Sequence, residues 1–152
     1  MHQRMSVSMT SDDRALIETA AKDAGVSVSA WMVQAAREEA RWAVARKVGA
    51  LLKVAARQRI EMVLPSVVLA QVWRDGSRQA VLSRMLRTPG LVEARLHHED
   101  AKRVGELLRE SGTTDVADAH VVVLAGRLRA SVITSDPDDI SKLNAQLPLI
   151  RV

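Results

Sequence analysis

The feature that most constrains the fold is the alternation of short apolar strands and helices after about residue 45. The candidate strands are "IEMVL", "LVEARL", "SVITS" and "LPLIRV", and helical patterns such as "EDAKRVGELLRES" and "TDVADAHVVVLAGRLRA" lie between them. Strands that are separated by helices of about ten or more residues pair in parallel through right-handed crossovers. This part of the chain therefore predicts a three-layer α/β domain, with a parallel sheet flanked by helices.

The first forty residues follow a different pattern. "MSVSM", residues 5–9, alternates apolar and polar side chains, which is typical of a half-buried strand. Thr10 and Asp13 have the spacing of a capping box, and Gly25 suits the end of the helix that follows. A second helix is predicted to begin at Ser27, and its pattern can run on past Trp42. We therefore expect a small β-α-α module over residues 1–42 and the α/β domain over residues 43–152.

Composition excludes several classes of protein. The 152-residue chain has no cysteine, which removes disulfide frameworks and thiolate chemistry. No apolar run reaches the roughly 20 residues of a membrane span, and the N-terminal residues are too polar for a signal peptide. We expect a soluble cytoplasmic protein that does not bind membranes.

Positive charge is concentrated in one stretch. No acid lies between Glu39 and Glu61, whereas the basic residues there are Arg41, Arg46, Lys47, Lys53, Arg57 and Arg59. Such a stretch fits contact with phosphates, and it equally fits a solvated helix face. The sequence leaves both interpretations open.

Three acids are predicted to meet at the edge of the parallel sheet. Asp136 directly follows the strand "SVITS", and Asp115 and Asp118 lie in the first turn of the preceding helix. Ligands of open parallel sheets bind beyond the carboxyl ends of the strands, and oxygen ligands suit Mg²⁺ or Mn²⁺. Each acid also fits a helix cap, with Asp115 and Asp136 at N-cap positions. His120 lies on another face of the helix and is not expected to be a ligand.

The motifs "LPSVVLAQVWRDGSRQA", "SGTTDVADAHVVVLA" and "VITSDPDDISKL" make the chain from about Val44 to Val152 resemble the PIN-domain nucleases, in particular the toxins of bacterial toxin-antitoxin pairs. The resemblance implies Mg²⁺- or Mn²⁺-dependent cleavage of an RNA substrate. It further implies that Asp118 and Asp136 are catalytic metal ligands and that Asp115 is an auxiliary ligand.

The chain departs from the PIN pattern at two places. No apolar strand ending in an Asp precedes the helix "ARKVGALLKVAARQR", although PIN domains open with such a strand. Gln71 stands where the family commonly has a Glu, so the side chain contributes no charge. These departures imply a ribonuclease that is weakened or inactive.

Residues 4 to about 40 resemble a ribbon-helix-helix DNA-binding module, the fold of many antitoxins. In that family two chains pair their N-terminal strands into a ribbon that enters the major groove. The resemblance implies that Arg4, Ser6 and Ser8 face base edges and that the helix start near Ser27 and Ser29 offers backbone N–H groups to a phosphate.

Together these resemblances describe a fusion of an antitoxin-like head and a PIN-like body. They imply a homodimer and a cognate toxin or antitoxin as a partner. The alternative is a dimeric DNA-binding antitoxin or transcriptional regulator whose PIN-like part is structural. In a third arrangement "MSVSM" is a strand of the α/β domain, and neither function remains.

Overall fold

The computed structural model describes residues 9–73 and 79–152, and it divides the chain into two compact units, Met1–Ala45 and Arg46–Val152. The described elements, in chain order, are α1 (Ser11–Asp23), α2 (Val28–Gln58), β1 (Met62–Pro65), α3 (Ser66–Val72), α4 (Gln79–Leu86), β2 (Leu91–Ala94), α5 (His98–Ser111), α6 (Val116–Leu128), β3 (Val132–Thr134), α7 (Pro137–Leu143) and β4 (Leu149–Arg151). Every helix and strand predicted after residue 45 has a counterpart among them.

Helix α1 begins with the capping box that its sequence predicts. The Thr10 hydroxyl accepts a hydrogen bond from the Asp13 N–H at 3.2 Å, and the Asp13 carboxylate accepts one from the Thr10 N–H at 3.4 Å. Two amide donors that the helix start would leave unpaired are thereby satisfied. The predicted strand over residues 5–9 lies outside the described residues except for Met9, which is exposed and not in a strand.

The described part of the first unit has a very small core. Ala21 is its one buried side chain, at 1% exposure, whereas Leu16, Val33 and Trp42 are each at least half exposed, at 72%, 50% and 53%. A unit of this size needs far more apolar burial than one alanine to offset its conformational entropy. The described residues of the first unit therefore leave much of their apolar surface exposed.

Helix α2 is one continuous helix of 31 residues. The Ser27 hydroxyl accepts a hydrogen bond from the Ala30 N–H at 3.2 Å, which places the helix start where the sequence predicts it. The change of sequence pattern near residue 45 therefore falls inside a helix and not at a loop. Neither this helix nor any other within residues 9–73 and 79–152 is long and apolar enough to cross a membrane.

The strands of the second unit pair in parallel, but they form two small sheets and not the single sheet that we predicted. Strand β1 pairs with β2, with Met62 opposite Leu91, and β3 pairs with β4, with Val132 opposite Leu149. No described strand hydrogen-bonds to both pairs, so the two sheets are not joined into one layer. The second unit is mixed α/β and mostly helical, and a three-layer sheet is not what its described residues form.

The core of the second unit is built on α6. Its apolar run places Ala119, Val122 and Ala125 in the interior at 6% exposure or less. Helices α5 and α7 pack on it and contribute Val104 and Ile140, each 3% exposed. Gly112 ends α5 in the left-handed conformation at φ 68°, which a residue without a Cβ adopts readily.

This core contains a buried polar group. His120 on α6 is 0% exposed, and neither ring nitrogen has a hydrogen-bond partner among the described residues. Asp100 on α5 is also buried, and its Oδ2 lies 3.2 Å from Arg127 Nη2, an ion pair without hydrogen-bond geometry. Burial lowers the pKa of His120; Asp100 opposes this effect, and Arg127 and His97 add to it. The interior therefore favours a neutral imidazole.

We predict that the protein loses stability as the pH falls below about 6.5, the ordinary pKa of histidine. Because the pKa of His120 is lowered in the folded state, the unfolded chain binds a proton first, and acidification favours unfolding. Urea midpoints at pH 8, 7, 6 and 5 measure this dependence. His120→Leu should flatten it relative to the parent protein, whereas His98→Leu, an exposed-site control, should not. The same pH slope in the parent and the His120→Leu protein would contradict the prediction.

Candidate functional site

Asp115 is the N-cap of α6. Its Oδ1 accepts hydrogen bonds from the N–H groups of Ala117 and Asp118, at 2.8 and 3.0 Å. This confirms the capping interpretation of Asp115. The Asp118 carboxylate makes no hydrogen bond back to Asp115, so the pair is a simple cap and not a capping box.

Asp118 is the least satisfied acid of this region. It is half-buried, and its carboxylate has no hydrogen-bond or ion-pair partner within residues 9–73 and 79–152. Burial raises the pKa of Asp118, and the charges of Asp115, Asp139 and Asp136 raise it further. The sequence predicted that Asp115, Asp118 and Asp136 lie near one another, and in the structure the charges of Asp115 and Asp136 both act on Asp118.

Asp136 occupies the N-cap position of α7, but its side chain makes no capping hydrogen bond. The capping interpretation of Asp136 is therefore wrong for the side chain. Its backbone N–H instead donates to Thr134 Oγ1 at 2.9 Å, which turns the chain at the end of β3. The Asp136 carboxylate is exposed to solvent.

Asp139 and Lys142 belong to the same group, although the sequence did not single them out as site residues. Lys142 Nζ donates to Asp139 Oδ1 at 2.6 Å. This hydrogen bond and the lysine charge lower the pKa of Asp139. Conversely, Asp139, Asp136 and Asp138 raise the pKa of Lys142. The i, i+3 spacing of Asp139 and Lys142 on α7 was the available sequence signal.

An open cleft of about 350 Å³ lies beside Asp115. It is lined by residues of α3 and of the start of α6, namely Val67, Ala70, Gln71, Thr114, Asp115, Val116 and Ala117. Gln71 Nε2 lies 3.4 Å from both carboxylate oxygens of Asp115. The side-chain amide of Gln71 therefore contacts the Asp115 carboxylate through long and weak hydrogen bonds.

The acids are neighbours, but they do not form a metal centre as they stand. Within the described residues, no three Asp, Glu or His side chains are grouped closely enough to hold a metal ion. Asp115 is used by its helix cap and Asp139 by Lys142. The Mg²⁺ site remains a prediction.

The predicted DNA-contacting residues divide between the described and undescribed parts of the chain. Arg4, Ser6 and Ser8 lie outside the described residues. Ser27 and Ser29 are exposed at the start of α2, with their hydroxyl oxygens 3.3 Å apart. Their role in DNA binding remains a prediction.

The first part of the chain is similar to a known protein family. Residues 4–66 match the family described as antitoxin TacA 1-like. These residues are similar to an antitoxin family. The match relates the chain to toxin-antitoxin systems, covers less than half of its length, and continues past residue 42 through α2 and β1. It does not extend to the acids of α6 and α7, and no curated protein matches the chain.

We predict that Asp118→Asn stabilises the folded protein at pH 7, by up to about 1 kcal/mol, the scale of a partly solvated charge interaction. The reason is that three carboxylates and partial burial disfavour the ionised form of Asp118, whose pKa is raised. This penalty is absent at low pH and develops as the pH rises through the folded-state pKa. Urea unfolding at pH 7 and at pH 4 measures the effect.

Glu106→Gln, an exposed site on α5, is the control and should leave the urea midpoint at pH 7 nearly unchanged. A lower urea midpoint for Asp118→Asn than for the parent protein at pH 7 would contradict the prediction.

Proposed function

We propose that the protein is a dimeric DNA-binding antitoxin or transcriptional regulator. The observation that carries this proposal is the match of residues 4–66 to TacA 1-like antitoxins. The small core among residues 9–45 supports it, because one buried alanine and an exposed Trp42 leave apolar side chains that a partner can bury. A second copy of the same module would supply that partner.

In this dimer the paired segments over residues 4–9 enter the major groove, with Arg4, Ser6 and Ser8 facing base edges. The exposed start of α2, with Ser27 and Ser29, lies against a phosphate. An antitoxin also has a cognate toxin as its partner. The module over residues 1–42 is the DNA-binding part, and residues 43–152 form a second, PIN-like domain.

A second candidate function is a weakened, metal-dependent ribonuclease in the PIN-like residues 43–152. The observation that favours it is the unpaired, half-buried Asp118 among Asp115, Asp136 and Asp139. Neighbouring carboxylates repel one another, and a bound divalent cation relieves this repulsion. Mg²⁺ or Mn²⁺ is the ion that such oxygen ligands suit.

The acids of this region do not yet fit such an ion, since no described group of three is close enough. Lys142 already neutralises Asp139, and Gln71 provides an amide beside Asp115 in place of a charge. We therefore assign no chemical step to these residues. The antitoxin-type function is the better supported of the two.

We predict that the purified protein is a dimer that binds DNA from the promoter of its own gene. Arg4→Ala should weaken this binding roughly 10- to 100-fold, the effect of losing one good base contact of about 1–3 kcal/mol. The measurements are sedimentation and a mobility-shift titration.

Arg14→Ala is the matched control, because Arg14 lies on α1 and pairs with Glu18 at 2.9 Å. A monomer at micromolar concentration, or equal losses in both variants, would contradict the proposal.

The ribonuclease candidate requires Mg²⁺-dependent cleavage of RNA that is lost in Asp118→Asn and retained in Glu106→Gln. The measurement is the rate of cleavage of a labelled single-stranded RNA, with and without EDTA. Equal rates in the two variants would exclude Asp118 as a catalytic group.

A further inference from the structure

The second half of α2 exposes an unusual run of positive charge. Within the second unit this segment carries Lys47, Lys53, Arg57 and, just past the helix end, Arg59, all exposed. No acid lies on it before Glu61. The two interpretations that the sequence leaves open, a phosphate contact and a solvated face, differ in how these side chains are arranged around the helix.

The helix has a packed face and a charged face. Leu52 and Ala55 are buried, at 6% and 8% exposure, and mark the packed face. At about 100° per residue, Ala50 and Val54 lie on the opposite side, and both are exposed. Around the helix, Lys53 and Arg57 lie on one side of Ala50 and Val54, and Lys47 lies on the other side. From Lys47 to Arg57 the axial length is about 15 Å.

These cations are not neutralised by the protein. Lys47, Lys53 and Arg57 form no ion pair with any residue in the described ranges. Two of the three cations on α5 are paired, since Lys102 lies 3.7 Å from a Glu99 oxygen and Arg109 lies 3.3 Å from a Glu110 oxygen. A solvated face built for solubility commonly interleaves both signs. A one-sign face suits an external polyanion.

We propose that this face of α2, defined by Lys47, Lys53 and Arg57 around Ala50 and Val54, binds the phosphate backbone of duplex DNA without sequence preference. The major groove of B-form DNA is about 12 Å wide and admits an α-helix, with phosphates along both walls. Two small apolar side chains with cations on both sides match that geometry. The major groove of duplex RNA is deep and narrow and does not admit such a face.

This contact goes beyond the base-reading role proposed for residues 4–9. It supplies the salt-dependent, sequence-independent part of binding, and it uses different residues. The two proposals can therefore fail separately.

The test is the salt dependence of binding by the full-length protein to a labelled 20-base-pair DNA duplex of unrelated sequence. The variant is Lys53→Gln with Arg57→Gln, and the control is Lys102→Gln with Arg109→Gln, which removes the same charge from α5. Each phosphate contact contributes about 0.9 to the slope of log K against log salt concentration. We expect the slope of the α2 variant to be lower by about 1.8 for each copy of the chain whose α2 face contacts the duplex, and that of the control to match the parent protein. Circular dichroism checks that both variants are folded.

Equal slopes in the α2 variant and the control would overturn the proposal, as would tighter binding of the parent protein to duplex RNA than to duplex DNA. No binding to the unrelated duplex at low salt would also overturn it. Arg4→Ala provides the separation from the proposed function: it should reduce the preference for promoter DNA over the unrelated duplex and leave the α2 contribution to the slope intact.

Discussion

Helix α6 is apolar on nearly every face, and its burial against α5 and α7 is the packing on which the second unit depends. Ala119, Val122 and Ala125 occupy the interior, and partly buried side chains from neighbouring elements pack around them. Because the body of the helix is buried, its polar first turn is held at the surface next to the end of β3 and the start of α7. The position of Asp115 and Asp118 is therefore a consequence of core packing.

That placement has an electrostatic cost. Asp118 is half-buried among three other carboxylates, and the structure offsets the repulsion only in part, through the pairing of Asp139 with Lys142. Side chains whose pKa is shifted by burial and by neighbouring charges are more common at functional sites than at structural ones. In this chain the neighbouring Asp115 is used as a helix cap, and the neutral amide of Gln71 lies beside it. The region therefore has the negative charge of a cation site, but no three of its described side chains are close enough to hold a cation.

The first unit depends on a different kind of contact. Its helices are locally well specified, with a capping box at Thr10 and a hydroxyl cap at Ser27, but their apolar side chains remain largely exposed. Local hydrogen bonds set helix ends, whereas stability requires buried area. The similarity of residues 4–66 to an antitoxin family and the small core among the described residues are the two observations on which the proposed dimer rests.

The sequence by itself determined the helices and strands of the described residues, and the caps at Thr10, Asp115 and Gly112, because these depend on hydrogen bonds and backbone preferences within a few residues. It also predicted the parallel pairing and the approach of Asp136 to Asp118, through the order of elements. Only the tertiary structure decided that the strands form two separate pairs, that Asp139 and Lys142 join the acids, and that His120 is buried without a partner. These outcomes depend on how distant elements pack, which the spacing of residues along a single chain does not encode.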